Sequence, residues 1–249
     1  MDFTGQHVVI TGASTGIGRA TAAKIAALHG TVTLIARRAN VLEKAVAEIG
    51  GKAGFIAANV GDKTQLTKAL DEAVARNGPI DGLFLNAAYE GLYEQTPNYT
   101  DEAFEQVLRV NVESPFWAIR HTLPAMQARG KGAILLTGSL GAETGMVGNI
   151  GYVTSKHAVL GLARGIAMEA APSGVRCNCI NPGFIDTPML GGTPDDFKAM
   201  MAARVPQGRI GTPAEAAAVA AFLLSDEASH VTAQSWAVDG GLLGTLKIV

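Results

Sequence analysis

Short β-branched runs alternate regularly with longer segments of helical periodicity, and this alternation is the feature that most constrains the fold of the sequence. A parallel crossover needs a dozen or more residues and is right-handed, so the pattern predicts a mostly parallel sheet with helices on both faces. The predicted strands and helices, in chain order, are residues 7–11, 17–28, 31–36, 41–49, 53–57, 66–76, 82–86, 104–127 with breaks, 133–137, 152–170, 175–180, 214–224 and 234–238.

Seven strands in this order predict a single-domain, doubly wound α/β fold of the Rossmann type. The chain has 249 residues and 48% hydrophobic composition, enough for one sizeable core. No proline-rich linker, charge block or repeat divides it, so one dinucleotide-binding and catalytic domain is predicted over residues 1–249. Residues 183–211 break the rhythm with Gly, Pro and Asp, and so long a connection is typical of a substrate flap.

The charge pattern argues against large or charged partners. The formal charge is -2, the pI is about 6.2, and the charges are scattered. No basic stripe or polybasic anchor is present, so we expect a small-molecule substrate and neither nucleic acid nor a membrane as partner. The start of the chain carries no charged leader, and no apolar run approaches the roughly 18 residues of a spanning helix, which favours a cytoplasmic protein.

The cysteines and histidines are not spaced like metal ligands or a redox pair. Cys177 and Cys179 are two residues apart on a predicted strand, so both face the same side and are interpreted as buried thiols. The five histidines are scattered without ligand spacing. We therefore expect no metal site.

The first strand is followed directly by a glycine-rich loop, TGASTGIG at residues 11–18, which opens a helix. Glycines let the backbone turn tightly and approach a pyrophosphate, whose charge the helix N-terminus stabilises. A simple glycine turn is the alternative, but the position in the first βαβ unit favours a dinucleotide site. The predicted contacts are Gly12, Ser14, Thr15, Gly16, Ile17 and Gly18.

The end of the second strand selects the cofactor. An acid about 20 residues after the loop binds the ribose of NAD, whereas arginine accommodates the 2′-phosphate of NADP. Arg37 and Arg38 stand at this point, with no acid between residues 31 and 42. NADP(H) is favoured, with NAD(H) as the alternative. The competing interpretation is that the two arginines only solvate a helix start, where cations are unfavourable.

Tyr152 and Lys156 are four residues apart at the start of a helical segment, so both side chains share one helix face. A neighbouring cation favours the phenolate, and we therefore expect Lys156 to lower the pKa of Tyr152. Such a tyrosine can donate a proton to a carbonyl oxygen or remove one from an alcohol. Ser139 follows the strand at 133–137, at the sheet edge where ligands bind, and can hydrogen-bond the same oxygen.

Together these motifs resemble the short-chain dehydrogenase/reductase family, over nearly the whole chain. The resemblance rests on the TGxxxGxG loop, Asn111 in VNV, Ser139, the YxxxK pair, NPG at 181–183 and VDGG at 238–241. It implies an Asn111-Ser139-Tyr152-Lys156 tetrad. In that tetrad Lys156 also binds the nicotinamide ribose, and Asn111 helps to hold a water of the proton relay. Arg37 matches the family position associated with NADP, and a homotetramer through the helices near 104–127 and 152–170 is implied.

The resemblance also implies cofactor contacts beyond the glycine loop. Tyr152 and Lys156 are two of these contacts. Three family positions differ here: Ala88 and Ala233 replace frequent glycines, and Asn59 replaces an aspartate that touches adenine. The Asn59 oxygen can still accept a hydrogen bond from the adenine amine. The further implied contacts are Asn59, Val60, Asn86, Ala87, Ala88, Pro182, Gly183, Ile185 and Thr187.

Aromatic residues and methionines near the tetrad predict an adaptable apolar pocket for an aromatic, cyclic or otherwise hydrophobic ketone. Ordinary core or subunit packing is the competing interpretation for each. Glu90, Glu94 and Glu143 either select polar groups or face water. The predicted lining residues are Tyr89, Tyr93, Met146, Met189, Phe197 and Met200, with Leu92, Val147, Leu190 and Met201 as further candidates.

The sequence thus predicts an NADP(H)-dependent oxidoreductase that interconverts a ketone or aldehyde and an alcohol, with Tyr152 as general acid and base. One alternative is a 3-oxoacyl-(acyl-carrier-protein) reductase, for which a basic docking patch beside the cleft is expected, with Arg129 and Lys131 as candidates. The other is a non-catalytic NADP-sensing or scaffold protein. The intact tetrad argues against it.

Overall fold

The computed structural model describes residues 1–244, so the last five residues of the predicted domain lie outside the described residues. Seven parallel strands form one sheet in the order β3-β2-β1-β4-β5-β6-β7. This confirms the predicted Rossmann-type sheet, and it is parallel throughout. The strands are His7–Thr11 (β1), Thr31–Ala36 (β2), Ala53–Ala57 (β3), Gly82–Leu85 (β4), Gly132–Thr137 (β5), Val175–Pro182 (β6) and Ser235–Val238 (β7).

Helices cover both faces of the sheet, as their apolar sides require. One core packs β-strand side chains against α1, α2 and α8, and the other packs them against α3, α5 and α6. Both cysteines lie on β6 and are buried free thiols, as predicted. The helices are Gly16–Ala27 (α1), Ala39–Ile49 (α2), Lys63–Asn77 (α3), Asp101–Leu108 (α4), Ser114–Arg129 (α5), Ile150–Ala170 (α6), Asp195–Arg204 (α7) and Pro213–Leu224 (α8).

The predicted helical segment at 104–127 begins earlier than expected and is interrupted by a π-helical turn. The turn, Arg109–Glu113, lies between α4 and α5 and carries Asn111 at its centre. Such turns are uncommon and frequently mark functional positions.

The chain turns from one half of the sheet to the other between β1 and β4. Within the neighbouring strands Thr11 pairs with Leu85, and Leu85 pairs with Leu136, so their carboxyl ends are level. The loops that follow these strands therefore emerge at one crevice, where open α/β sheets bind their ligands.

The connection between β6 and α8 begins and ends at the same place on the domain, because its two ends pair with each other. Ile185 pairs with Gly211, the Asp186 N–H donates to the Gly211 carbonyl at 2.9 Å, and the Gly211 N–H donates to the Phe184 carbonyl at 2.8 Å. Between these points lie a 3-10 turn, Pro188–Leu190, and α7, which makes only slight contact with other elements. No helix in the described part of the chain is long and apolar enough to cross a bilayer.

Candidate active site

The glycine loop forms a cradle that side chains would fill. Gly12 has a φ of +65°, and a Cβ there would lie 2.7 Å from the Ala87 Cα. A Cβ on Gly18 would lie 2.7 Å from the Asn86 amide nitrogen, so only glycine allows this approach. The N-cap Thr15 makes no side-chain cap, and the first turn of α1 contains no acid. Its free N–H groups and positive end therefore suit a pyrophosphate.

Asn86 ties the loop after β4 to the glycine loop. Its amide donates to the Thr11 and Gly12 carbonyls, each at 3.2 Å, while its backbone N–H donates to the Thr11 hydroxyl at 3.1 Å. The N–H of Ala87 donates to the same hydroxyl at 3.2 Å. Asn86 and Ala87 thus border the cradle, and Ala88 follows them at its rim.

Arg37 and Arg38 follow β2 beside the glycine loop, whose Gly12 N–H donates to the Ile35 carbonyl at 2.8 Å. Both arginines are exposed, and neither guanidinium group has an ion-pair or hydrogen-bond partner within residues 1–244. Two unpaired guanidinium groups at the cradle fit a phosphate, because Arg presents several N–H donors in a fixed geometry.

The loop after β3 brings Asn59 and Val60 to the same edge. The Asn59 Oδ1 accepts from the Gly61 N–H at 3.1 Å, which leaves one lone pair of that oxygen and the amide Nδ2 for a ligand. Val60 is buried.

Tyr152 and Lys156 lie on one face of α6, as their spacing predicts. The Lys156 Nζ is 5.3 Å from the centre of the Tyr152 ring and donates to the Thr137 carbonyl at 2.8 Å. Ser139 begins the turn after β5, accepts from the Gly141 N–H at 3.2 Å and is a hydrogen-bonding neighbour of the Tyr152 phenol. The geometry therefore brings phenol, hydroxyl and ammonium together beside the cradle.

The expected lowering of the Tyr152 pKa is wrong for this structure. Burial raises the pKa of Tyr152 to about 12, against which the Ser139 hydroxyl acts only partly. Burial also lowers the pKa of Lys156 to about 8, because a fully enclosed ammonium loses its hydration. Desolvation, which spacing along a helix does not reveal, is the largest cause of both pKa shifts.

Asn111 is buried in the π-helical turn, and its side-chain amide forms hydrogen bonds to two other segments. Its Oδ1 accepts from the Tyr89 N–H at 2.8 Å, and its Nδ2 donates to the Tyr89 carbonyl and to the Ser155 hydroxyl, each at 2.9 Å. The side chain therefore connects the loop after β4 to α6 one turn from Tyr152. Since both Nδ2 hydrogens are used, a water at this position would be held by the remaining lone pair of Oδ1 or by another group of the turn.

The segment after β6 approaches the cradle from the opposite side. A Cβ on Gly16 would lie 3.2 Å from the Thr187 Cγ2, so Thr187 stands directly over the glycine loop. Pro182 ends β6 and Ile185 is buried in the pairing described above. A Cβ on Gly183 would lie 2.7 Å from the Asp239 Cα, so this position also excludes a side chain.

The predicted lining residues divide into several groups. Met146 is near Tyr152, since both face Gly141, whereas Met201 is buried and serves the packing of α7. Tyr89 is partly buried, with its backbone held by Asn111. The remaining apolar candidates, exposed around the crevice and on the segment after β6, are Leu92, Tyr93, Val147, Met189, Phe197 and Met200.

Arg129 and Lys131 do not lie beside the crevice. They precede β5, at the amino-terminal edge of the sheet, where Lys131 pairs with Asp226 at 3.3 Å and Arg129 donates to the Ile80 carbonyl at 2.5 Å. The suggested docking patch is therefore wrong, because the two cations are at the opposite edge and already paired.

Four polar side chains near the tetrad were not predicted from the sequence as hydrogen-bond partners. The buried Asn181 donates to the Glu143 carboxylate and to the Ser235 hydroxyl, each at 2.7 Å, which links the turn after β5 to β6 and β7. Asn149 caps α6 by accepting from the Tyr152 N–H at 3.3 Å. An asparagine just before a helical segment is a capping signal that can be read from the sequence.

Comparisons with known proteins agree with this arrangement. A family model described as enoyl-(acyl carrier protein) reductase matches residues 12–243. Cyclohexanol dehydrogenase of Acinetobacter sp. (strain SE19) is 36% identical over 96% of this chain and 95% of its own. The 3-oxoacyl-(acyl-carrier-protein) reductase of Salmonella typhimurium (strain LT2) is 33% identical over 97% and 99%.

The fold has a similarly close match among solved structures. The crystal structure of levodione reductase superimposes with a TM-score of 0.95, at 34% identity over 98% of this chain and 99% of that one. The family model alone spans the glycine loop from Gly12, the crevice and α6. The chain belongs to the short-chain dehydrogenase/reductase family, whose members here are alcohol dehydrogenases and carbonyl reductases.

Proposed function

We propose that this protein is an NADP(H)-dependent oxidoreductase that interconverts a cyclic or otherwise hydrophobic ketone or aldehyde and its alcohol, with Tyr152 as general acid and base. The observation that carries the proposal is the meeting of Tyr152, Ser139 and Lys156 beside the glycine cradle. The similarity to cyclohexanol dehydrogenase and levodione reductase favours ring substrates.

Tyr152 is the proton donor in reduction. With a pKa of about 12 the phenol is neutral at physiological pH, so it can transfer its proton to a carbonyl oxygen in the crevice. Ser139 holds that oxygen through its hydroxyl. Two N–H groups of the Lys156 ammonium remain after its bond to Thr137, and they bind the nicotinamide ribose. The chemistry that NADP(H) supplies when bound is hydride exchange with the substrate carbon.

The cofactor is held by residues from several loops. Arg37 and Arg38 bind the 2′-phosphate, the N-terminus of α1 binds the pyrophosphate, and Asn59 with Val60 borders the adenine. The nicotinamide end lies against Asn86, Ala87, Ala88, Pro182, Gly183, Ile185 and Thr187, with Tyr152 and Lys156.

Residues 183–211 act as the substrate flap of the single catalytic domain, with Met189, Phe197 and Met200 facing the substrate. Tyr89, Tyr93 and Met146 contribute the opposite wall. The enzyme works in the cytoplasm as a homo-oligomer, a tetramer by family resemblance.

A steady-state assay of nicotinamide absorbance tests the proposal. The wild-type protein is supplied with NADPH or NADH and with cyclic, aromatic, aliphatic and 3-oxoacyl carbonyls. Turnover of ring ketones with NADPH, well above that with NADH, is expected. Cofactor binding without turnover of any carbonyl would instead support the sensing or scaffold alternative.

A 3-oxoacyl-(acyl-carrier-protein) reductase is the second candidate, favoured by the similarity to the Salmonella typhimurium enzyme. The same panel of carbonyl substrates distinguishes the two candidate functions. A preference of kcat/KM for 3-oxoacyl thioesters over ring ketones would replace the first proposal by the second.

A further inference from the structure

Asn149 carries an unpaired donor next to the proposed proton donor. Its Oδ1 accepts from the Tyr152 N–H at 3.3 Å, and only the oxygen of an amide can accept, so the orientation of the group is determined. Its Nδ2 then faces away from that bond. The side chain is completely buried, and Nδ2 has no hydrogen-bond partner in the described structure. A buried donor without a partner is costly, which points to a group that completes it.

Glu90 is an uncompensated carboxylate at the same place. It is partly buried, its hydrogen-bond partner is the Tyr93 hydroxyl at 3.4 Å, and within residues 1–244 it pairs with no cation. Burial raises the pKa of Glu90, and the Glu90 charge contributes to the raised pKa of Tyr152, so the carboxylate lies within electrostatic range of the phenol. The Glu90 carboxylate therefore has no side-chain hydrogen-bond donor closer than 3.4 Å within residues 1–244.

The backbone pairs the segments that carry the two groups. The Glu94 N–H donates to the Gly148 carbonyl at 2.7 Å, and Glu94 pairs with Asn149 as an isolated bridge. This pairing places the loop that carries Glu90 and Tyr93 against the first turn of α6. Asn149 and Glu90 thus reach one wall of the crevice from two separate elements.

The Tyr93 hydroxyl lies between the two groups without satisfying either. Its contact with Glu90 is long at 3.4 Å. Burial and the Glu90 charge raise the pKa of Tyr93, the nearby Asn149 opposes this only partly, and the Asn149 Nδ2 makes no hydrogen bond to the phenol within residues 1–244. Tyr93 is 65% exposed on its loop, so the ring can turn away at little cost. A hydroxyl is the group suited to this position, because it can donate to Glu90 and accept from Asn149 at once.

Resting on the proposed function, we propose that Glu90 and Asn149 form a second recognition point that binds a hydroxyl group of the substrate, in the position that the Tyr93 hydroxyl now takes. A substrate carbonyl at this point can accept a hydrogen bond from Asn149 but cannot donate one to Glu90. A substrate carboxylate is repelled by the Glu90 carboxylate. The substrate class is therefore a neutral ring ketone that carries a second, free hydroxyl group, or the corresponding diol.

The test measures kcat/KM with NADPH for three matched ketones: cyclohexanone, 4-hydroxycyclohexanone and 4-oxocyclohexanecarboxylate. The wild type is expected to prefer the hydroxyketone to cyclohexanone by about tenfold, the size of one hydrogen bond to a charged group. Glu90→Gln should lower this ratio several-fold and raise the relative rate with the carboxylate. Asn149→Ser, which retains an oxygen to cap α6, should lower the ratio by about threefold to tenfold.

Glu94→Gln is the matched control, because it removes the same charge from the same loop. The Glu94 carboxylate accepts from the Gln95 N–H at 2.7 Å and from the Asn98 amide at 3.4 Å, and within residues 1–244 it forms no side-chain hydrogen bond with Tyr93 or Asn149. Its substrate ratios should equal those of the wild type. Tyr93→Phe should raise the preference for the hydroxyketone, because the competing hydroxyl is gone.

Each outcome decides between the two proposals. Ratios that stay constant in Glu90→Gln and Asn149→Ser, with active enzyme, overturn the recognition point and leave the proposed function intact. Absence of wild-type turnover with all three ketones overturns the recognition point, and the proposed function falls with it only if every other carbonyl of the wider panel is also inert. If Asn149→Ser does not fold, Glu90→Gln and Tyr93→Phe still decide the question.

Discussion

Lys156 and Thr137 are joined by a 2.8 Å hydrogen bond between the buried ammonium and the backbone carbonyl two residues before Ser139. The bond connects α6 to the end of β5. It therefore sets the position of the Tyr152 helix relative to the turn that carries Ser139, and it does so with a group whose own charge is sensitive to pH.

Reduction should lose efficiency as pH rises through about 8, the pKa to which burial lowers Lys156. Below this value the ammonium is charged and keeps its bonds, while Tyr152 stays protonated up to about 12. The measurement is the pH profile of kcat/KM for a ring ketone with NADPH. A profile that stays flat to the ordinary lysine pKa of 10.5 would contradict the prediction.

Tyr152→Phe should reduce turnover by about 10²–10⁴-fold, the usual contribution of a general acid. The ring that packs beside Lys156 remains, so NADPH should still bind, as judged by fluorescence titration. Unchanged turnover would remove Tyr152 as the acid, and lost cofactor binding would show that the phenol hydroxyl has a structural role instead.

Arg37→Ala should weaken NADPH binding by about tenfold or more and affect NADH much less, because only NADPH has the 2′-phosphate that a charge-assisted hydrogen bond would hold. Dissociation constants for both cofactors are the readout. Lys44→Ala, which removes an exposed cation farther along α2, is the control. Equal losses for the two cofactors would disprove the assignment.

Gly12→Ala should lower the free energy of unfolding by about 1–3 kcal/mol, because φ is +65° and the new Cβ would lie 2.7 Å from the Ala87 Cα. It should also impair cofactor binding. Gly161→Ala, in α6 with no atom within 4 Å of the new Cβ, should instead stabilise by up to about 1 kcal/mol. Urea unfolding of both variants provides the comparison, and equal effects would rule out the close approach at Gly12.

Buried His7 should make stability fall on acidification. Its Nδ1 lies 3.0 Å from the Gly78 carbonyl and its Nε2 lies 2.8 Å from the Thr33 hydroxyl, and desolvation lowers its pKa below 6.5. The unfolded chain therefore binds a proton first, so the His7 contribution is complete above about 6.5 and declines as pH falls below it.

Urea unfolding between neutral and mildly acidic pH measures this dependence. The slope from one proton is at most about 1.4 kcal/mol per pH unit. His7→Gln should lack this component while the remaining slope persists. A variant with the wild-type slope would assign the acid sensitivity to other groups.

The features that could be predicted from the sequence are local ones. The order of strands and helices follows from periodicity, and the cradle and the shared face of Tyr152 and Lys156 follow from spacing over a few residues. The edge on which Arg129 and Lys131 lie was also predictable, since both precede β5 and so belong to the amino-terminal edge.

Other features depend on contacts between distant residues. The π-helical turn is accompanied by hydrogen bonds from Asn111 to Tyr89 and Ser155, which are 22 and 44 residues away. The pKa of Tyr152 depends on how completely the tertiary structure covers the phenol. The unpaired Asn149 amide becomes visible only when the loop after β4 is placed against α6.

The pairing of Ile185 with Gly211 also matters for protein engineering. The two ends of the intervening segment pair with each other on the body of the domain, so residues between them can be exchanged while the ends stay in place. Segments of other lengths that begin after Pro188 should keep Thr187 over the glycine loop and leave β6 and α8 unaltered. Selectivity libraries can therefore be built here while the glycine cradle and the Tyr152 helix are left untouched.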